Sequence, residues 1–131
     1  MAESIILHFS TASANEVLTQ CAAFTEKATG HEMYFYPSNA DYLLLLTPYR
    51  DYAQEYGPEE KAQLQEALGG EPRGSVDFEL RRSRSDTACD AATEIIARLS
   101  NEFTFVIDDL SRIWTAGEAL RSPDFLREYR Y

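Results

Sequence analysis

The segment from Ser75 to Arg81 constrains the fold most, because apolar and charged or polar residues alternate along it without a break. Its apolar positions are Val76, Phe78 and Leu80. A period of two places these three side chains on one side of an extended chain, which is typical of a strand with one face on a hydrophobic core. We therefore predict a β-strand over 75–81 and a fold that contains a sheet.

Two segments with helical spacing of apolar residues predict the main helices. The first covers residues 14–28, and Ser13 stands at the position of its N-cap, with an acid three residues later as in a capping box. The second follows Ser85–Thr87, any of which would cap it, and carries an apolar stripe from Ala88 to Leu99.

Four further segments are rich in aliphatic and aromatic residues and predict additional strands. They are residues 4–9, 33–36, 42–47 and 103–108. Pro37-Ser38-Asn39 has the composition of a turn that joins the second and the third of them, either as two strands or as two halves of one bent strand. A proline at its beginning and Gly69-Gly70 after its end predict a short helix over 58–68.

The order of these elements predicts an α+β fold in a single domain over residues 1–131. It is the order of the ferredoxin-like split βαβ sandwich, βαββαβ, with an inserted helix between the middle strands. Short C-terminal helices would begin near Thr115 and Ser122. Right-handed crossovers would place both main helices on one face of the sheet. The other face would then be open and would carry Ile6, His8, Asp77, Glu79, Thr104 and Val106.

Charge and hydropathy exclude several classes of function. The formal net charge is −10, from 22 acidic and 12 basic residues, which is the wrong sign for binding nucleic acid. The longest apolar stretch is far shorter than the roughly 20 residues that span a bilayer. An acid at Glu3, where a secretory signal carries Lys or Arg, indicates a cytoplasmic protein. We expect neither nucleic acid nor membrane as a partner. The excess of Arg over Lys suits a GC-rich bacterial genome.

Catalytic and metal-binding motifs are absent from the sequence, and we predict that the protein is not an enzyme and needs no cofactor. It lacks G-x-S-x-G, H-E-x-x-H, C-x-x-C and the P-loop. Cys21 and Cys89 fall on the apolar sides of predicted helices, as buried free thiols do. Asp108-Asp109 would either bind a metal or cap a turn, and the pattern favours the cap. His8 would not reach Asp108, because the first and last strands are antiparallel.

Clusters of acids among tyrosines suggest an interface, although such clusters are more often solvated surfaces. Acidic side chains would steer a basic protein, and tyrosines are frequent anchors at interfaces. The residues that we predict to bind a basic protein partner are Tyr52, Glu55, Tyr56, Glu59, Glu60, Asp90 and Glu94. The oligomeric state stays open between monomer and homodimer.

An alternative function is regulation through a small anionic ligand. If the ends of the first and third strands and the beginnings of both main helices met at one edge, they would form a locally basic site. The residues of this site would be His8, Ser10, Ser13, Arg82, Arg84 and Ser85. The simpler interpretation is that these serines cap helices and these arginines pair with acids.

The segment from Gly70 to Leu110 carries a resemblance to a known class of proteins. It contains a strand, an arginine-rich loop, an alanine-rich helix and the run Phe-Thr-Phe-Val-Ile-Asp-Asp at 103–109. With its size and acidity, the chain resembles the small immunity proteins that bacteria make to neutralise their own polymorphic toxins. The resemblance implies a non-catalytic inhibitor that binds a toxin or nuclease.

Overall fold

One antiparallel sheet organises the molecule, and helices pack on both of its faces. The computed structural model describes residues 3–28, 30, 32–37 and 41–130. Within these ranges the sheet has seven strands, in the order β2-β3-β4-β5-β1-β6-β7. They are β1 (Ser4–Phe9), β2 (Glu26–Lys27), β3 (Tyr34–Tyr36), β4 (Leu44–Pro48), β5 (Gly74–Leu80), β6 (Phe105–Asp108) and β7 (Ile113–Thr115).

Five α-helices lie in the described ranges. They are α1 (Ala14–Cys21), α2 (Tyr52–Glu55), α3 (Pro58–Leu68), α4 (Ser85–Ser100) and α5 (Ala116–Arg121). Single 3-10 turns occupy Arg82–Arg84 and Arg127–Tyr129. None of these described helices is long and apolar enough to cross a lipid bilayer.

The predicted α+β class is confirmed, but the sheet is not the four-stranded ferredoxin-like one that we expected. The strands around Phe9, Phe78 and Phe105 do lie side by side, with Ile5 opposite Phe78 and Phe9 opposite Phe105. The sheet continues past them, through β2 and β3 at one edge and β7 at the other. The predicted turn at Ser38 and Asn39 lies outside the described residues.

The larger core lies between the sheet and the helices α1, α4 and α5. Ile5, Leu7 and Phe9 of β1 all point into it and have no exposed surface. The apolar stripe of α4 faces the same core, as its helical spacing predicted. Cys21 and Cys89 are buried there as free thiols.

The opposite face of the sheet is covered in part, which corrects the prediction of an open face. Leu64 and Leu68 of α3 pack with Tyr56 and with Val106 of β6 in a second, smaller core. His8 and Ile6, which we expected to be exposed, are also buried. The sequence indicated a helix over 58–68 but not its partner, because a short amphipathic helix can pack on any apolar surface.

Helix α1 ends at Cys21, seven residues before its predicted end. The Thr25 hydroxyl donates to the Cys21 carbonyl at 2.8 Å. Glu26 and Lys27 then pair with β3 as an edge strand. The chain after Cys21 therefore gains ladder hydrogen bonds that helical spacing alone did not reveal.

We expect Gly74→Ala to destabilise the protein by about 2 kcal/mol, because an added Cβ would overpack the start of α1. That atom would lie 2.4 Å from the Ala14 nitrogen and 2.7 Å from the Ala12 oxygen, both in backbone. Urea unfolding measures the loss. Gly117→Ala is the control, since its Cβ would come no nearer than 3.5 Å to the Arg121 side chain. Equal stabilities of the two variants would contradict the close approach at Gly74.

Candidate functional site

A chain of four hydrogen-bonded side chains lies between the sheet and α2. Ser75 Oγ lies 2.7 Å from His8 Nδ1, and His8 Nε2 lies 2.9 Å from the Tyr56 hydroxyl. The Tyr56 hydroxyl donates in turn to a carboxylate oxygen of Asp108. Ser75, His8 and Tyr56 are buried, so each polar atom in the chain needs the partner it has.

The chemistry of the partners gives this chain a direction. A carboxylate only accepts hydrogen bonds, so the Tyr56 hydroxyl must donate its single proton to Asp108. His8 Nε2 must then carry the proton that bonds to the Tyr56 oxygen, which leaves Nδ1 as the acceptor for Ser75. We assign His8 as the neutral Nε2–H tautomer on this basis.

Three tyrosines enclose the His8 ring. The ring centroids of Tyr49, Tyr52 and Tyr56 lie 6.3, 5.8 and 5.3 Å from that of His8. Burial lowers the pKa of His8 to about 4. Burial, followed by the hydrogen bond to Asp108, raises the pKa of Tyr56 well above its usual range. Both groups are therefore uncharged at neutral pH, as a small apolar core requires.

The outer side of α2 and α3 is an acidic surface, which we define as Glu55, Glu59, Glu60 and Glu66. All four side chains are exposed. Glu55 accepts a hydrogen bond from the Tyr49 hydroxyl at 2.7 Å, and Glu60 accepts one from the Gly57 nitrogen at 2.9 Å. Glu59 and Glu66 have no ion-pair partner in the described ranges.

The one basic residue among positions 51–71, Lys61, does little to neutralise this surface. Its ammonium group donates to the Ala53 carbonyl at 3.0 Å and lies 5.7 Å from the centroid of the Tyr52 ring. Lys61 thus links α3 to α2 and pairs with none of the surface carboxylates. The acidic surface keeps an excess of negative charge.

The structure separates the residues predicted to bind a partner into two groups. Tyr52, Glu55, Tyr56, Glu59 and Glu60 belong to the α2–α3 region, whereas Asp90 and Glu94 lie on α4. Because α4 packs on the other face of the sheet, a single flat interface would not include both groups. Tyr56 is also buried, so its role is to support the surface.

The two acids on α4 differ from the acidic surface in their pairing. Asp90 accepts a hydrogen bond from Arg130 at 2.7 Å, and Arg98 lies 3.3 Å from Glu94, one helical turn away. Asp86 also lies 3.8 Å from Arg130. The negative charge of α4 is largely compensated, which reduces the steering it exerts on a basic partner.

The six residues of the predicted anion site do not come together. Because β1 and β5 are antiparallel, Phe9 pairs with Gly74 and Ser4 pairs with Glu79. The C-terminal ends of these two neighbouring strands therefore lie at opposite ends of the strand pair. One group is Ser10 and Ser13, with the buried His8 nearby in β1, and the other is Arg82, Arg84 and Ser85.

Several of these six residues have structural partners. Ser13 caps α1 by accepting a hydrogen bond from the Glu16 nitrogen at 3.1 Å. Ser10 donates to the Thr104 carbonyl at 3.3 Å, and Arg84 forms an exposed ion pair with Asp41. His8 is fully buried and bonded at both ring nitrogens, so it has no atom to offer an anion.

Asp108 and Asp109 build the turn after β6. Asp109 Oδ1 accepts from the Ser111 and Arg112 nitrogens at 2.9 and 2.8 Å, and its Oδ2 accepts from the Trp114 ring nitrogen at 2.8 Å. In the described ranges no group of three or more His, Cys, Asp or Glu side chains is placed to hold a metal ion. We predicted that antiparallel pairing would keep His8 and Asp108 towards opposite ends of the sheet, which is wrong: Asp108 lies opposite Ile6, and Tyr56 connects it to His8.

Sequence reasoning missed the partners of His8. Tyr52 and Tyr56 are four residues apart, a spacing that brings two side chains to one face of a helix. A histidine in a strand that is otherwise apolar also requires hydrogen-bond partners if both faces are buried. These two signals together would have suggested a polar contact under the inserted helix, although not the identity of Ser75.

Comparison with known proteins found no relative of this chain. Neither a protein-family model, nor a curated protein, nor a solved structure matches the chain.

The buried His8 predicts a specific dependence of stability on pH. Its pKa is about 4 in the folded protein and about 6.5 in an unfolded chain. Since the unfolded state binds the proton more tightly, this stabilisation is present above pH 6.5 and declines as the pH falls towards 4. At pH 5 the free energy of unfolding should have lost about 2 kcal/mol through His8 alone. His8→Gln is the control, and parallel pH profiles for it and the wild type would refute the assignment.

Removal of the Tyr56 hydroxyl should destabilise the protein. Tyr56→Phe leaves His8 Nε2–H and one Asp108 oxygen without their partner, at a cost of about 2 kcal/mol in the free energy of unfolding. Tyr52→Phe is the matched control, because its hydroxyl only accepts a 3.2 Å bond from the partly buried Gln65. Chemical denaturation of both variants tests the difference, and equal losses would show that the buried chain adds nothing.

Proposed function

We propose that the protein is a non-catalytic protein-binding module whose acidic surface on α2 and α3 receives a basic protein. The observation that carries the proposal is that Glu59 and Glu66 have no ion-pair partner in the described ranges, whereas the acids of α4 do. Unpaired like charges on one surface repel each other, and a basic partner removes that repulsion on binding.

The support beneath this surface favours a binding role. Helix α2 has a single turn, and α3 has only eleven residues, so neither would be stable alone in water. Tyr56 holds both to the sheet through His8 and Asp108, and Leu64 and Leu68 add apolar contact. A surface fixed in this manner loses little conformational entropy when a partner binds.

The buried chain has residue types found in hydrolases, but its placement argues against catalysis. Ser75 retains only 4% of its accessible surface, so a substrate has no route to its hydroxyl. Both ring nitrogens of His8 are occupied by protein groups, so the imidazole has no free position as a general base. These two observations support a structural role for the chain.

An immunity-type inhibitor is the specific form of the proposal. Such a protein would cover the basic site of a toxin or nuclease in the cytoplasm of a bacterium. The acidity of the α2–α3 surface and the resemblance of residues 70–110 support it. The adjacent gene is the first source of a candidate partner, and co-expression followed by purification of the complex would identify it.

Charge reversal tests the surface directly. Glu59 and Glu66 are two helical turns apart on the outer side of α3, and neither has an ion pair to lose within the described ranges. We expect Glu59→Lys/Glu66→Lys to weaken binding to the co-purified partner by at least about tenfold, close to 1.4 kcal/mol. Calorimetric titration at low and high salt would measure the affinities, and salt should weaken wild-type binding.

Glu102→Lys is the control for the position of a charge reversal, and it is compared with each single variant, Glu59→Lys and Glu66→Lys, as well as with the double one. Glu102 is exposed just after α4, on the other side of the sheet, so reversal of one charge there should alter the affinity little. The proposal fails if Glu102→Lys reduces binding as much as the double variant does. It also fails if salt leaves the affinity unchanged.

A further inference from the structure

Leu110, at the tip of the hairpin formed by β6 and β7, has an unusual position for an apolar residue. Its side chain is 70% exposed, against 38% for Leu120, the other large apolar side chain exposed in the described ranges. Its backbone has a φ of 74°. Glycine or asparagine adopts this left-handed conformation readily, whereas a leucine adopts it at a cost.

The hairpin holds Leu110 in this conformation. Its nitrogen donates to Asp108 Oδ1 at 2.8 Å, and Asp109 fixes the next two residues through their nitrogens. The Tyr129 hydroxyl donates to the Asp109 carbonyl at 2.7 Å. The leucine gains no burial in return, so the stability of the isolated protein gives no reason for its presence.

The position of the hairpin connects Leu110 to the acidic surface. Asp108 bonds the Leu110 nitrogen through one oxygen and the Tyr56 hydroxyl through the other. A notch of about 110 Å³ separates the hairpin from α3, and Tyr56, Glu60, Gln63, Asp108 and Leu110 are among the residues that line it.

The charge in this notch is mainly negative. Arg112 also lines it, but its guanidinium group lies 3.6 Å from Glu118 and 3.7 Å from the centroid of the Trp114 ring. The positive charge of Arg112 is therefore already paired with Glu118 and stacked on Trp114. Glu60 is left as the exposed charge on the α3 side of the notch.

We propose that Leu110 is the apolar anchor of the interface and that it inserts into an apolar pocket of a basic protein partner. A Lys or Arg beside that pocket would then reach the notch next to Glu60. The inference rests on the proposed function and adds to it the chemistry of the partner: an apolar pocket bordered by basic side chains. A buried apolar centre with a charged rim is the usual anatomy of a tight interface.

Selection of random cyclic peptides, which can form a concave apolar surface, on the immobilised wild-type protein tests this chemistry. We expect the enriched peptides to combine Lys or Arg with apolar residues. Their affinity for Leu110→Gly should fall about thirtyfold, equivalent to about 2 kcal/mol, while the Leu120→Ala control should bind as the wild type does. Leu110→Gly should also unfold at the same temperature or a higher one, because glycine relieves the positive φ.

Leu110→Asn separates the loss of the apolar side chain from the change in backbone conformation that glycine allows. Asparagine tolerates the same φ but is polar, so it should lose binding as glycine does. If basic peptides bind Leu110→Gly as tightly as the wild type but lose affinity for Glu59→Lys/Glu66→Lys, the anchor is refuted while the acidic interface stands. If no basic peptides are enriched, both proposals are overturned.

Discussion

Burial of β1 on both of its faces explains why the sheet needs a layer of helices on each side. Its odd-numbered residues supply the larger core, while His8 contacts the second layer, formed by α2 and α3, and Ile6 is buried on the same side of the strand. A buried imidazole is tolerated only with partners at both nitrogens, and Ser75 and Tyr56 provide them. The buried His8 in β1 thus requires a hydrogen-bond partner from the segment that contains α2 and α3, and Tyr56 is that partner.

Two kinds of contact hold the second layer on the sheet: a small apolar core and a set of directional hydrogen bonds. Leu64, Leu68 and Val106 form a core too small to fix the orientation of two short helices. The hydrogen bonds through Tyr56 supply that orientation, because each requires a defined distance and angle. Asp108 extends the same order to the β6–β7 hairpin, so the acidic surface and Leu110 have a common support.

Electrostatics distinguishes the two sides of the sheet. Arginines near the acids of α4 compensate them, while the carboxylates of α3 remain unpaired in the described ranges and receive no help from Lys61. The excess of negative charge that gives the net charge of −10 is therefore less compensated at α3 than at α4. A basic protein would meet the stronger field at α3, which is also where the apolar side chain of Leu110 is presented.

Local patterns in the sequence were enough to predict the alternating strand from Gly74 to Leu80, helix α4, and the helix starts at Ser13 and Thr115. These follow from contacts within a few residues, which a linear pattern records. The early end of α1, the covered second face and the link from His8 to Asp108 depend on contacts between distant parts of the chain. The last joins residues 8, 56, 75 and 108, and local spacing holds no information about such distant partners. The prediction of the anion site was wrong for the same reason, since antiparallel pairing of β1 and β5 places its two halves at opposite ends of these strands.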